Sequence, residues 1–255
     1  QRQMCIRDSL LHWKHAKINL SKDYPKHFGD AYWVWAPQTI YDRKAKKYMI
    51  YFTLQRNDRK SLITYYAYAN KDFTGFESEP KQLFSAKYGS IDNDIIEKDG
   101  TYHLFYKGNT KDENGKEIKN GIQQATSKSL KGKWKEDFKY LDAYAGKTPV
   151  EGSSIFKLNG KDEYVLMYDM YTSGRYEYQT STDLYHFSEP KAFTKDFFPR
   201  HGSVISLTRD ELQRLQEKWG YVVRYEFESQ GNPIVRHIHT CLLYTSPSPR
   251  DYAAS

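Results

Sequence analysis

The sequence predicts an all-β fold, a five-bladed β-propeller that is incomplete, with blade one largely missing. Three observations carry this expectation. A unit of apolar-aromatic strand, polar turn and Tyr-rich strand recurs three times within 255 residues. A second unit, a strand followed by a Ser/Asp-Leu-x-x-aromatic turn, follows each copy. Equivalent points at Pro37, Asp92, Glu151 and His201 lie 55, 59 and 50 residues apart. A period of about 50–60 residues with four short strands per unit is the pattern of propeller blades. A sandwich also has many short strands, but not a repeated hairpin-plus-turn unit.

The elements follow in order. The first hairpin runs Trp35–Asp42, turn, Tyr48–Phe52; the second Ser90–Ile96, turn at Asp99-Gly100, Tyr102–Tyr106; the third Glu151–Leu158, turn at Asn159-Gly160, Tyr164–Tyr168. Asp-Gly and Asn-Gly between such runs signal hairpins, because type I′ turns need φ > 0 at both central positions. The second unit appears at Ala69–Phe73 with Phe76, Ser127–Leu130 with Trp134, and Ser181–Leu184 with Phe187. Leu10–Trp13 reads as a fourth copy that lacks its front half, and Arg200 opens the next inner strand, the start of blade five. After that the pattern changes. Thr208 and Glu211 match a capping box, Leu212, Leu215 and Trp219 give an apolar helix face, and Gly220 ends the helix.

Composition excludes other classes. Aromatic residues make up 16% of the chain, too many for a disordered segment. No apolar run approaches the roughly 18–20 residues of a membrane span, and the N-terminal stretch has no apolar h-region. The net charge is +7, but its lysines are scattered through turns such as Lys44–Lys47 and Lys128–Lys135, which reads as a solvated surface. No nucleic-acid or membrane partner is expected.

The two cysteines, Cys5 and Cys241, sit in end segments that resemble translated adapter sequence. The expected organisation is a non-native terminus over 1–9, the partial propeller over 10–220, a linker or the start of a second propeller module over 221–240, and a second non-native terminus over 241–255. Without the ends, no disulfide argument is available.

In a propeller the innermost strands line a central channel, so residues at their starts converge. These starts carry Trp33 and Trp35, Asp92, Glu151, and Arg200 with His201. Two carboxylates flanking a sugar are what glycosidic hydrolysis needs. Each residue also has a plain structural reading: a turn or cap for Asp92, a solvated loop acid for Glu151, a packed histidine for His201 and core aromatics for the tryptophans. Their common phase in the repeat makes them candidates together.

The set Trp35-Ala-Pro, Ser90-Ile-Asp92, Glu151-Gly and Arg200-His201-Gly-Ser-Val resembles glycoside hydrolase family 43 over about residues 10–220. The resemblance implies a five-bladed propeller that hydrolyses arabinose- and xylose-containing plant polysaccharides with inversion. It implies Glu151 as general acid and Asp92 as the carboxylate that raises the acid's pKa and orients it. Trp33 and Trp35 would form a sugar-stacking wall, with Arg200 and His201 as substrate-binding residues. It implies no required cofactor, with a possible structural calcium near His201, and export of the full-length protein to the periplasm or outside the cell. The family's general base is an Asp on the first strand of blade one, upstream of Leu10, so the chain by itself is expected to be inactive. Gly231–Thr240 resembles the opening of another domain of the family; a strand closing this propeller is the alternative. The alternative function is a carbohydrate-binding propeller without catalysis.

Overall fold

The structure is a computed structural model that describes residues 2–7, 11–111, 114–142, 144, 147–192, 201–220, 227–229 and 232–234. For 2–7, 13–14, 119, 227–229 and 232–234 it describes the backbone alone. The chain divides into two compact units, one of residues 1–6 with 13–206, the other of 7–12 with 207–255.

The first unit opens with a two-stranded sheet, β1 (Arg2–Arg7) and β2 (Trp13–Ile18). Two single-turn helices follow, α1 (Leu20–Asp23) and α2 (Pro25–Phe28). Asn19 caps α1 by accepting from the Lys22 N–H at 3.1 Å. Pro25 begins α2, where a missing N–H costs nothing.

Three four-stranded antiparallel meanders come next. The first is β3 (Ala31–Asp42), β4 (Lys47–Arg56), β5 (Leu62–Tyr68) and β6 (Lys81–Phe84). The second is β7 (Ser90–Lys98), β8 (Thr101–Lys111), β9 (Glu117–Ser127) and β10 (Lys135–Glu136). The third is β11 (Glu151–Lys157), β12 (Tyr164–Met170), β13 (Arg175–Ser181) and β14 (Lys191–Ala192). These are the predicted blades, each starting from its inner strand.

The Tyr-rich second strands are apolar on both faces because each blade is packed on both sides. Alternate residues point to opposite faces of a strand. Met49 and Tyr51 therefore pack with Leu104 and Tyr106 of the following blade, while Ile50, Phe52 and Leu54 pack with Leu20 and Phe28. Phe105 and Ile122 pack with Leu166 and Tyr168 in the same way. The Ser-x-x-Leu turns close the blades. The Leu184 N–H donates to Ser181 Oγ at 2.8 Å, and this turn tucks Leu184 into the core with no exposed surface.

Blade five departs from expectation. His201 to Leu207 carry no strand, because among the described residues no neighbouring strand pairs with them. The segment is tied across the first unit instead: Ser203 Oγ donates to Gln38 Oε1 at 2.8 Å, and Ser206 Oγ donates to Asn159 Oδ1 at 2.7 Å.

In the second unit α3 (Arg209–Trp219) has the predicted capping box, with Thr208 as N-cap and Glu211 reaching back, and it ends at Gly220 in the left-handed region. Leu215 is buried, whereas Trp219 is exposed rather than on a buried face. A short hairpin follows, β15 (Phe227–Ser229) and β16 (Asn232–Ile234). Residues 235–255, which include most of the segment read as non-native, lie outside the described residues.

Candidate active site

The inner strands β3, β7 and β11 share one irregularity. Pairing with the second strand slips between Trp35 and Gln38, between Ile91 and Asp94, and between Glu151 and Ser154. Each slip contains a residue at positive φ: Ala36 (39°), Asp92 (55°) and Gly152 (66°). This is a β-bulge repeated in three blades, a device that re-aims side chains at a strand start.

The bulge corrects the repeat phase read from sequence. Asp92 is equivalent to Gly152 and Ala36, while Glu151 is equivalent to Ile91 and Trp35. The two carboxylates therefore sit one position apart in the repeat. They still converge, because consecutive residues at a bulge can face the same side.

Asp92 and Glu151 are both 4% exposed. The Gly152 N–H donates to Asp92 Oδ2 at 3.0 Å, and Ser153 Oγ donates to the Asp92 carbonyl at 2.7 Å. The carboxylate of one blade is thus held by the residue after Glu151 in the next. Gly152 is required twice over: its φ is left-handed, and a Cβ there would stand 2.7 Å from His201 Cδ2.

His201 bridges the acids. Its Nε2 lies 3.4 Å from Glu151 Oε1 and 3.9 Å from Asp169 Oδ2, and its Nδ1 lies 3.9 Å from Asp92 Oδ1. Burial opposes a charged imidazole here, but the bond to Glu151 and the charges of Asp92, Glu151 and Asp169 outweigh it and raise its pKa. Burial raises the pKa of Asp92, His201 pulls it back, Glu151 adds to the rise, and the net shift is upward.

Two neighbours are not among the sequence candidates. Lys107 Nζ is 3.7 Å from Glu151 Oε2. Asp169, 1% exposed, is the direct cross-strand partner of Glu151 on β12. The third hairpin's pairing signals Asp169, since Tyr164–Met170 must run back along β11. Lys107 has no sequence signal beyond its place just after the expected strand Tyr102–Tyr106, which the structure extends through it to Lys111.

Asn93 also has a definite position. Its Nδ2 donates to Thr53 Oγ1 at 2.7 Å and Thr64 Oγ1 at 3.0 Å, fastening β7 to the preceding blade. Asp94 accepts from the Ile155 N–H at 2.9 Å and from Tyr51 Oη at 3.3 Å, so it ties three blades together.

The structure thus joins Asp92, Glu151 and His201. Trp33 and Trp35 stack on one another on β3, with ring centroids 5.8 Å apart and planes 11° apart, and Trp33 is 40% exposed. Arg200 lies outside the described residues.

One donor atom from each of Asp92, Glu151 and His201 lies within 4.8 Å of the others, a set that could hold a cation. Calcium wants six to eight oxygen ligands. Here one donor is an imidazole, Asp92 already accepts an amide, and the Lys107 ammonium sits beside Glu151, so the set offers fewer oxygens than calcium takes.

Bulged inner strands and stacked blades define a β-propeller, with a buried acidic pair under a histidine at the starts of its inner strands. The sequence model of a family described as a probable glycosyl hydrolase domain, related to glycoside hydrolase family 43, matches residues 1–213. The chain belongs to this family 43-related group. No curated protein sequence matches it.

Among solved structures it is similar to a thermostable family-43 glycoside hydrolase, at 18% identity and TM-score 0.57, over 97% of this chain and 87% of that one. It is also similar to a variant of the exo-β-1,3-galactanase from Phanerochaete chrysosporium with β-1,3-galactotriose, at 16% identity and TM-score 0.51, over 74% of this chain and 43% of that one. The catalytic domain of a family-62 α-L-arabinofuranosidase from Coprinopsis cinerea matches at 14% identity and TM-score 0.47, over 69% of this chain and 56% of that one. The chain thus spans about half of the last two proteins. At these identities the first two likenesses speak for the fold, a five-bladed propeller of which the described residues form three four-stranded blades.

Proposed function

We propose that this domain hydrolyses O-glycosidic bonds of arabinose- or xylose-containing glycans with inversion at the anomeric carbon. Glu151 is the proton donor to the departing oxygen, and Asp92 orients it and disfavours a second negative charge beside it. The observation that carries this reading is the Gly152 N–H to Asp92 bond, which fixes the two acids side by side.

Asp92 is not the base in this reading. A carboxylate oxygen of each acid lies within 4.8 Å, whereas an inverting acid–base pair stands about 6.5–9.5 Å apart to admit water. The base is assigned, as the family resemblance implies, to an Asp on the first strand of blade one, upstream of Leu10. When Glu151 gives up its proton, Lys107 at Oε2 and His201 at Oε1 stabilise the carboxylate that forms. Trp33 and Trp35 offer an aromatic wall to an apolar sugar face, and Arg200 with His201 binds substrate. No cofactor is needed, and neither nucleic acid nor a membrane is a partner.

The same close pairing also supports the second reading, a glycan-binding propeller without turnover, because the acids near Glu151 do not provide an opposed base. The experiment is incubation of a polypeptide that also carries blade one with arabinan, xylan and galactan oligosaccharides, with proton NMR of the first anomer released. Inversion of configuration supports the enzymatic reading. Retention overturns the inverting mechanism, and binding without release favours the second reading.

A further inference from the structure

Lys107, which the proposed chemistry places at Glu151 Oε2, also stands beside Tyr171, a ring that chemistry leaves unused. Lys107 is on β8, opposite Ile91 of β7. Tyr171 follows the last residue of β12. Both stand one strand outward from β7 and β11, which carry the acids. Lys107 Nζ is 3.7 Å from Glu151 Oε2 and 5.9 Å from the centre of the Tyr171 ring, so it touches the acid and stands over the ring.

The ring is held from the neighbouring blade. Asn120 Nδ2 donates to Tyr171 Oη at 3.1 Å. Asn120 is itself fixed, with its N–H donating to Asn109 Oδ1 at 3.1 Å and its carbonyl accepting from the Val150 N–H at 2.8 Å. It sits at φ 59°, a left-handed conformation that Asn tolerates. Val150 immediately precedes Glu151, so ring and acid are referenced to the same backbone.

We propose that Lys107 and Tyr171 form the sugar subsite on the leaving-group side of Glu151. This rests on the reading of Glu151 as proton donor. A general acid faces the bridging oxygen, so the departing sugar lies beyond it, away from the channel axis. Lys107 and, next to it, Tyr171 are the side chains found beside Glu151 one strand outward. The ring supplies a flat face for an apolar sugar face, and the ammonium donates to a ring hydroxyl. The ligand is the second sugar unit of an oligosaccharide; a monosaccharide in the inner position does not reach it.

Calorimetric titration of the full chain with α-1,5-arabinotriose, β-1,4-xylotriose and β-1,3-galactotriose, each beside its monosaccharide, tests this. At least one trisaccharide should bind more tightly than its monosaccharide. Tyr171→Ala should weaken that trisaccharide about tenfold and leave the monosaccharide unchanged. Lys107→Met should act in the same direction. Tyr171→Phe keeps the ring and should keep most of the affinity, and melting curves check that each variant folds. Unchanged trisaccharide affinity in both Tyr171→Ala and Lys107→Met, or equal loss for monosaccharide and trisaccharide, overturns the subsite while leaving the reading of Glu151 standing. Failure of the unsubstituted chain to bind any of the sugars overturns the glycan-site reading and the subsite together.

Discussion

The backbone N–H of Gly152 donates to the carboxylate of Asp92 across a blade boundary, at 3.0 Å. With the Ser153 and Ile155 bonds to Asp92 and Asp94, this contact aligns β7 with β11 and holds the two acids together. It depends on a left-handed residue with no side chain, pressed against His201.

Gly152→Ala is therefore expected to destabilise the fold by about 2 kcal/mol, from left-handed strain and the displaced His201 ring. Urea unfolding measures the loss. A change in the His201 imidazole NMR signals of the folded variant checks the local cause.

Asp94 makes stability depend on pH. Burial raises its folded pKa to about 7, against an ordinary value of 3.8. The folded state therefore binds the proton more tightly than the unfolded state. Between about pH 4 and pH 7 the unfolded chain has released the proton and the folded chain still holds it, so this group's contribution falls as pH rises. The loss amounts to at most about 4 kcal/mol at 1.36 kcal/mol per pH unit. Asp94→Asn should flatten the profile, so its unfolding midpoint relative to the parent should rise from pH 4 to pH 8.

Much of the blade architecture was legible because it rests on local signals. Asp99-Gly100 and Asn159-Gly160 mark hairpins whose turns demand positive φ, and both glycines have it. The Thr208–Glu211 box is complete within four residues. The bulge was not legible, because an extra residue in a strand shows only in its pairing. The phase assigned to Glu151 was therefore off by one. Lys107 was missed because a lysine next to an aromatic strand usually meets solvent, and only the neighbouring blade brings Glu151 within its reach. The inner strand expected from Arg200 is absent over His201–Leu207 for a related reason: repeat spacing alone does not supply a pairing partner.

Trp33 and Trp35 share a face of β3, and Trp35 occupies in its bulge the position that Glu151 occupies in the third blade. Trp35→Ala should weaken oligosaccharide binding about tenfold, and Trp33→Ala by less because its ring is the more exposed. Affinity electrophoresis in gels containing arabinan or xylan reads both.

The chain alone should hydrolyse aryl arabinofuranosides or xylosides no faster than its own Glu151→Ala variant. Asp92 stands too near Glu151 to activate water on the opposite side of a sugar. Loss of a general base typically costs about 10²–10⁴-fold. A steady-state assay of the two proteins side by side makes the comparison. Turnover that depends on Glu151 would identify a base within this chain, with Asp30 and Asp94 the first residues to substitute.

The proton-donor role of Glu151 is tested most directly by leaving-group dependence, in a polypeptide that carries a preceding propeller blade. A poor leaving group needs the acid's proton, whereas a dinitrophenolate departs without it. The account predicts that Glu151→Ala slows release of a sugar or methoxide leaving group by about 10²–10⁴-fold and release of 2,4-dinitrophenolate far less. An equal loss for both leaving groups, or none for either, would contradict it.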